Sequence, residues 1–358
     1  MPSKQLVING KFLLASLEGM PRVGREITTA FDSLLEDDAY SDLSIEILAP
    51  KGASKEISLK NIKVLEVGLT KGLVWEQIEL PHFLGNRYCL NFTGTAPTIR
   101  KHGCVVVHDA QFFSTRQSHT WKSFLLYSVI SQTVARRYRN IVTVSDFAKR
   151  EILEYGVCDR KDISVIHNAA DHVLRIRHDS SILKELGLEQ GQFMLANSYV
   201  HHHKNVRILF EAITAMPNRK LVLFGSSGRE SYESRGVTVP KNVIFTGRVS
   251  DEQLVALMKA ARLFLFPSKT EGFGLPPLEA MMLGCPTVCA SAGAMPEICG
   301  DGALYASPDS SVDWVQKIDM VWESDETRLR LSRAGQTQAS RYSWQASAEK
   351  YLDVIFAE

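Results

Sequence analysis

The stretch LFLFPSKTEGFGLPPLE occupies residues 263–279. Its first four residues, Leu263–Phe266, are apolar and predict a buried strand. Two glycines then free the backbone, and Pro276 and Pro277 favour the first turn of a helix. We expect the backbone N–H groups of Gly272–Gly274 to face an anion, because a helix dipole favours negative charge at this end.

Two glutamates flank this turn. Glu271 precedes the glycines, and Glu279 follows eight positions later in the predicted helix. Carboxylates are good acceptors for paired hydroxyls such as those of ribose or a hexose. An ordinary strand–turn–helix with two solvated glutamates is the alternative. The preceding strand, the following prolines and the presence of both glutamates favour a binding site.

Short apolar runs alternate with longer amphipathic stretches along the chain, which indicates parallel α/β architecture. The first half contains six predicted strands: Leu6–Asn9, Leu43–Leu48, Ile62–Val67, Cys104–His108, Ile141–Ser145 and Ile163–Ile166. The second half contains five: Phe193–Asn197, Leu221–Phe224, Val243–Thr246, Leu263–Phe266 and Thr287–Ala290. We predict a domain at residues 1–171, a second at 172–341, and a helix at 342–358 that returns to the first.

Composition narrows the functional classes. A length of 358 residues suits two domains, and 23% charged residues argue against wholesale disorder. The net charge of +1 gives no overall attraction to nucleic acid, which we exclude as a partner. No apolar run reaches the length of a membrane span, and Lys4 and Lys11 interrupt any signal-peptide layout. We therefore expect a cytoplasmic protein whose six cysteines are buried and reduced.

The spacing of Glu271 and Glu279 around Gly-Phe-Gly-Leu-Pro resembles that of retaining glycosyltransferases of family four. That family has the GT-B architecture, in which two Rossmann-like doubly wound α/β domains face each other across a cleft. Further similar segments occur in the same order along nearly the whole chain: Gly19–Val23, His108-Asp109, His167-Asn168, Lys204-Asn205, Phe245–Ser250, Gly284–Pro286 and Pro296-Glu297.

The resemblance implies roles for individual residues. Glu279 would bind the ribose hydroxyls, while Glu271 and His108 would face the transferred sugar as the catalytic pair. Residues that would bind the donor diphosphate and sugar are Gly19, Lys204, Arg248, Gly272, Phe273, Gly274 and Leu275. Such fixed cations and amide dipoles stabilise the charge that grows on a leaving diphosphate without a metal. Accordingly, the resemblance implies no metal and no cofactor.

One position departs from the family pattern. Some members carry an arginine six residues before the lysine, where this chain has Ser198. The missing charge could be supplied by Arg248 or by the three consecutive histidines His201–His203. These histidines could instead suggest a metal site, but adjacent residues rarely converge on one ion, so we favour a polar loop.

The resulting hypothesis is a retaining, metal-independent hexosyltransferase. It would move a hexose from a nucleotide-diphosphate sugar to a glycan or lipid-linked acceptor in polysaccharide or lipopolysaccharide synthesis. Relatives that use GDP-mannose make that donor a candidate, although no residue identifies GDP over UDP or ADP. The alternatives are a GT-B-like epimerase or phosphorylase, and a non-catalytic nucleotide-sugar-binding subunit.

The segment 101–150 is basic and rich in aromatic residues. It has eight Lys or Arg against two acids: Lys101, Arg116, Lys122, Arg136, Arg137, Arg139, Lys149 and Arg150 against Asp109 and Asp146. Phe112, Phe113, Trp121, Phe124 and Tyr127 accompany them. Such a surface suits anionic lipid, which predicts peripheral contact with the inner membrane face. A helix with a buried apolar face and a solvated basic face is the alternative.

Overall fold

The computed structural model describes residues 4–16, 18–114, 121–160 and 162–357, with the side chains of Ser114 and Trp121–Phe124 outside the described part. The chain divides into two compact units. Unit 1 comprises Met1–Asn168 and Trp344–Glu358, and unit 2 comprises Ala169–Ser343. The sequence analysis placed these boundaries at 171/172 and 341/342.

Unit 1 contains a seven-stranded parallel sheet with the order β3-β2-β1-β4-β5-β6-β7. The strands are β1 (Lys4–Asn9), β2 (Leu43–Ala49), β3 (Lys63–Glu66), β4 (Cys89–Asn91), β5 (Gly103–Val106), β6 (Asn140–Thr143) and β7 (Ser164–Val165). The chain moves outward from β1 to β3 and then returns to the other side of β1. The strand order therefore reverses between β1 and β4, the point where doubly wound sheets bind ligands.

Helices join the strands of unit 1: α1 (Met20–Leu34), α2 (Gly72–Val74), α3 (Leu80–Leu84), α4 (Gln111–Ser114), α5 (Trp121–Arg137), α6 (Asp146–Glu154) and, from the end of the chain, α15 (Trp344–Phe356). A π-helical turn, Trp75–Glu79, links α2 to α3. The α15 helix packs against α1. It is also tied to the sheet by Asn140 Nδ2, which donates to the Val354 carbonyl at 2.9 Å.

Unit 2 contains a six-stranded parallel sheet with the order β10-β9-β8-β11-β12-β13. The strands are β8 (Phe193–Asn197), β9 (Lys220–Phe224), β10 (Val243–Gly247), β11 (Leu263–Phe266), β12 (Thr287–Ala290) and β13 (Ala303–Ala306). The helices are α7 (Ser181–Glu185), α8 (Val206–Thr214), α9 (Arg229–Glu233), α10 (Asp251–Ala260), α11 (Leu275–Met282), α12 (Met295–Cys299), α13 (Ser311–Trp322) and α14 (Asp325–Ala339). The order reverses between β8 and β11, which makes this the switch point of unit 2.

The predicted α/β class, with two doubly wound parallel sheets, is confirmed. Sequence reasoning missed β4 and β13, which have three and four residues. The six cysteines are free and buried, as predicted. Across the described ranges, no helix combines the length and apolar character needed to cross a membrane.

A buried polar cluster joins the ends of β1 and β4 at the switch point of unit 1. The Lys11 ammonium lies 2.7 Å from Glu76 Oε1 and donates to Thr95 Oγ1 at 2.6 Å. Thr95 in turn donates to Glu76 Oε2 at 2.8 Å. Asn9 Nδ2 donates both to Glu76 at 3.0 Å and to Asn91 at 2.9 Å. Each partner of the Glu76 carboxylate is thus a fixed donor, which allows a carboxylate to be buried.

We predict that Lys11→Met destabilises unit 1 by about 3 kcal/mol, because Glu76 is fully buried and would lose its compensating charge. Urea unfolding followed by circular dichroism measures this loss. The double variant Lys11→Met with Glu76→Gln serves as the control, since it removes both charges, and we expect it to be more stable than Lys11→Met alone. A single variant that unfolds at the wild-type urea concentration would contradict a structural role for the pair.

Candidate functional site

The loops that follow β8 and β11 are tied together at the switch point of unit 2. The Lys269 N–H donates to the His203 carbonyl at 2.7 Å. Asn205 Nδ2 donates to the Pro267 carbonyl at 3.2 Å and to the Pro308 carbonyl at 2.8 Å. Asn205 adopts a left-handed conformation with φ of 54°, which asparagine tolerates better than most residues. These bonds bring the side chains that follow both strands to one place.

Lys204 and Glu271, predicted to bind the donor, form an ion pair across these two loops. Lys204 Nζ lies 2.6 Å from Glu271 Oε1, and the two side chains are 23% and 14% exposed. The Lys204 ammonium also lies 5.9 Å from the centre of the Tyr199 ring. A cation and a carboxylate are therefore held at the edge where a doubly wound sheet receives its ligand.

Two polar atoms near the carboxyl end of β8 are buried without a hydrogen-bond partner among the described residues: Asn197 Oδ1, in the last residue of the strand, and His203 Nδ1. The His203 ring interacts electrostatically with both Lys204 and Glu271. Burial, reinforced by the neighbouring Lys204 charge, lowers the pKa of the His203 imidazole to about 4. The ring is consequently neutral near pH 7. Buried polar groups are normally paired in folded proteins, so unpaired ones beside an ion pair indicate a place for a polar ligand. The sequence analysis considered His203 as one of three histidines that could supply the charge missing at Ser198 or form a polar loop, and it did not consider Asn197. A neutral His203 ring does not supply that charge.

After Glu271 the chain turns at a glycine and enters a helix with prolines in its first turn, as the sequence predicted. Gly274 is left-handed with φ of 90°, and α11 begins at the next residue, Leu275, with prolines in its first turn. The Phe273 side chain packs edge-on against Tyr342, with ring centres 6.0 Å apart. Phe273 is thus anchored in unit 2, and any contribution it makes to a ligand comes from its backbone.

Gly293 supports Glu271 from the neighbouring loop, and sequence reasoning missed it. A Cβ atom at Gly293 would lie 2.8 Å from the Glu271 nitrogen, and φ at this position is 62°. The next residue, Ala294, donates its N–H to the Glu271 carbonyl at 3.1 Å. Only glycine permits this close approach, which fixes the backbone that carries the Glu271 carboxylate.

Glu279 lies in the middle of α11 and is buried, 7% exposed. His172 Nε2 lies 3.2 Å from Glu279 Oε1, and His172 is itself 3% exposed. His172 belongs to the short helical turn Asp171–Leu174, which packs against α11. No local sequence signal identifies this pairing, because the two residues lie far apart in the chain.

Neither Arg248 nor Ser198 forms a hydrogen bond or ion pair with Lys204 or Glu271 in the described part of the chain. Arg248 follows the edge strand β10 and is exposed, with no hydrogen bond or ion pair to another described residue. Ser198 is fully buried, and its hydroxyl donates to the Ser227 carbonyl at 2.5 Å. Ser198 therefore has a structural partner and brings no charge to the site.

In unit 1, His108 lies just beyond β5 and is 9% exposed. Its Nε2 lies 2.6 Å from the Phe92 carbonyl, which can only accept, so Nε2 carries the proton. Burial lowers the pKa of His108 to about 4, and the ring is neutral near pH 7 with Nδ1 as its acceptor. His108 thus has the backbone contact expected of a structural histidine and an acceptor nitrogen suited to a hydroxyl.

Gly19, also in unit 1, is the N-cap residue of α1, is exposed and has φ of 57°.

The three histidines His201–His203 do not form a chelating cluster. The rings of His201 and His203 stack at 5.6 Å and are nearly parallel. Searching the described part of the chain finds no group of three or more His, Cys, Asp or Glu side chains placed to hold a metal ion.

Two doubly wound parallel units of this kind define the fold of the GT-B glycosyltransferases. WaaG, described as a glycosyltransferase involved in lipopolysaccharide biosynthesis, superposes with a TM-score of 0.71 at 14% identity, covering 99% of this chain and 100% of WaaG. HepE of Anabaena in complex with UDP-glucose superposes with a TM-score of 0.72 at 18% identity, covering 98% of this chain and 99% of HepE. These likenesses confirm the predicted fold class.

Residues 181–338, which lie in unit 2, match the family described as Glycosyl transferases group 1. This match confirms the resemblance seen in the sequence. The O-antigen chain mannosyltransferase B of Escherichia coli is 32% identical over 218 residues, which cover 57% of this chain and 57% of that protein. The chain thus spans little more than half the length of this curated relative.

We predict that His108 makes folding stability depend on pH. Its pKa of about 4 in the folded state lies below the ordinary value of 6.5. As pH falls from 6.5 toward 4, the unfolded chain takes up a proton that the folded chain excludes, so stability decreases by up to about 1.4 kcal/mol per pH unit. Urea unfolding of wild type and His108→Asn between pH 7 and pH 5 should show a shallower decrease in the variant. His178→Gln, at an exposed site, controls for loss of a histidine, and parallel profiles for wild type and His108→Asn would contradict the prediction.

Proposed function

We propose that this protein is a retaining glycosyltransferase that moves a hexose from a nucleotide-diphosphate sugar to a glycan or lipid-linked acceptor in cell-surface polysaccharide synthesis. The observation that carries the proposal is the Lys204–Glu271 pair at the switch point of unit 2. It lies within the domain that matches Glycosyl transferases group 1. The names of relatives, which include O-antigen chain mannosyltransferase B, support mannose as the sugar. We propose GDP-mannose as the donor.

The donor would displace the ion pair and use both of its members. Lys204 would hold the diphosphate, with the 272–275 backbone, while Glu271 would accept hydrogen bonds from the sugar hydroxyls. The unpartnered atoms of Asn197 and His203 offer further contacts to the same ligand. In unit 1, we propose that Gly19 binds the diphosphate. We also propose that Nδ1 of the neutral His108 ring accepts a hydrogen bond from a sugar hydroxyl.

We propose transfer by front-face attack, without a covalent intermediate. The bond from the anomeric carbon to the leaving phosphate oxygen breaks as the acceptor oxygen approaches from the same face, and the phosphate oxygen takes the acceptor proton. Fixed positive groups stabilise the charge on the leaving diphosphate. A lysine and amide dipoles can supply that stabilisation, so the proposal requires neither metal nor cofactor. Glu271 would position the sugar through its hydroxyls and stabilise positive charge at the anomeric carbon.

Two other functions compete with this one. An epimerase would convert the nucleotide sugar without an acceptor, so product analysis with donor alone separates it from a transferase. A non-catalytic subunit would bind the nucleotide sugar without turnover. The presence of Lys204, Glu271 and Glu279 in this chain favours an active enzyme.

We predict opposite effects for the two members of the ion pair. Lys204→Met should weaken binding of a nucleoside diphosphate about tenfold or more, because the phosphate loses its fixed cation. Glu271→Gln should leave that binding at least as strong, since Lys204 loses a competing carboxylate, yet lower transfer about 10²-fold. Thermal shift with GDP, UDP and ADP identifies the base, because a ligand that binds only the folded state raises the melting temperature. Titration calorimetry and product assays then compare the variants.

Lys269→Met is the matched control for the lysine substitution, because Lys269 lies in the same pair of loops but is paired with Asp309. It should change neither binding nor transfer. Equal loss of nucleotide binding in Lys204→Met and Lys269→Met would contradict the assignment of Lys204. A glycosyl adduct on Glu271, detected by mass spectrometry of the intact protein, would exclude front-face transfer.

We also propose that unit 1 contacts an anionic membrane surface through α5, which gives the protein a cytoplasmic location with peripheral binding to the inner membrane face. Leu125, Leu126 and Val129 are 56%, 51% and 54% exposed. Arg136 and Arg137, in the last turn, are also exposed and share this face of the helix by the 3.6-residue period. Among the other residues of the sequence hypothesis, Arg116 and the side chains of Trp121, Lys122 and Phe124 lie outside the described residues.

We predict salt-sensitive sedimentation with anionic liposomes. Replacing Arg136 and Arg137 by Gln should weaken binding by about fivefold per arginine, which corresponds to about 1 kcal/mol for each charge near the surface. Replacing Leu125 and Leu126 by Ser should weaken it further by removing the inserted apolar area. Leu329→Ser, at an exposed leucine in unit 2, is the control. Liposome binding that changes neither with salt nor with these substitutions would contradict the proposed membrane contact through α5.

A further inference from the structure

A contact between His172 and Glu279 joins two residues that lie far apart in the chain. His172 precedes the matched domain, which begins at residue 181, and Glu279 lies inside it. The imidazole Nε2 and the carboxylate Oε1 are 3.2 Å apart, and both side chains are almost fully buried, at 3% and 9% exposure. Little water competes for a hydrogen bond between two buried groups of this kind, so the bond fixes the orientation of both groups.

The orientation of the Glu279 carboxylate matters because recognition of a diol is geometric. Two adjacent hydroxyls are bound well only when both carboxylate oxygens are held in the plane of the two donors. A glutamate side chain has three rotatable torsions, and its terminal torsion is broad, so it needs an external partner to stay in one orientation. The imidazole of His172 donates to Oε1 and supplies that partner.

We propose that His172 is a positioning residue that orients the Glu279 carboxylate for the ribose hydroxyls of the nucleotide. The inference rests on the proposed function, since it assigns Glu279 to the nucleoside. His172 itself touches no reacting atom. Its contribution is to affinity for the ribose, and the bond-breaking step is unaffected by it.

Removing one ribose hydroxyl provides the test. Titration calorimetry compares GDP with 2′-deoxy-GDP, or the corresponding pair for whichever base the wild-type protein binds. We expect wild type to prefer the ribonucleotide. His172→Asn, whose amide is too short to reach Oε1, should reduce ribonucleotide affinity about fivefold to tenfold while changing deoxyribonucleotide affinity little. His172→Gln, whose amide nitrogen can occupy the position of Nε2, should retain most of the preference. Glu279→Gln should abolish the preference in every background.

The possible outcomes separate the two levels of the proposal. Failure of wild type to bind any nucleoside diphosphate overturns the proposed function, and the role of His172 with it. A wild type that binds nucleotide without preferring ribose overturns the assignment of Glu279. A wild-type preference that persists unchanged in His172→Asn overturns the positioning role alone. Equal losses for both nucleotides in His172→Asn, with a lowered melting temperature of the free protein, would show a purely structural contact.

Discussion

The ion pair between Lys204 and Glu271 is the interaction on which the site of unit 2 depends. It joins the loops that follow β8 and β11, the neighbouring strands between which the strand order reverses. The surrounding backbone is arranged around the pair. The Lys269 N–H reaches the His203 carbonyl, and Gly293 lets its loop approach the Glu271 backbone. The strand order brings the two loops together, and these contacts fix the positions of the Lys204 and Glu271 charges.

The pair also accounts for how a charged site remains stable without ligand. An isolated lysine or carboxylate that is largely withdrawn from water is costly, and mutual pairing offsets much of that cost. A diphosphate can replace Glu271 as the partner of Lys204, while sugar hydroxyls can replace Lys204 as the partner of Glu271. Under the proposed function, donor binding would exchange one set of charge-assisted bonds for two, and the neutral His203 imidazole adds no competing positive charge.

The fold and part of the site could be predicted from local sequence. β11 and α11 were found because an apolar run, two glycines and two prolines are adjacent in the chain. Strand β4 was missed because three residues give too short a pattern for periodicity to identify. The contacts of His172 with Glu279, and of Gly293 with Glu271, arise only after folding brings distant segments together. The unpaired oxygen of Asn197 was missed for a related reason, since the lack of a partner is a property of the surroundings and not of the residue type.

A comparison between the two units explains why one lysine–carboxylate pair is assigned to binding and the other to stability. Lys11 and Glu76 also lie at a switch point, between β1 and β4. There, however, Glu76 is fully buried and Thr95 and Asn9 satisfy its remaining capacity. In unit 2 both members of the pair are partly exposed, and the unpaired Nδ1 of His203 lies beside them. Both pairs lie at switch points, where doubly wound sheets bind ligands. The unsatisfied hydrogen-bonding capacity around the charges is what distinguishes the proposed binding pair from the structural pair.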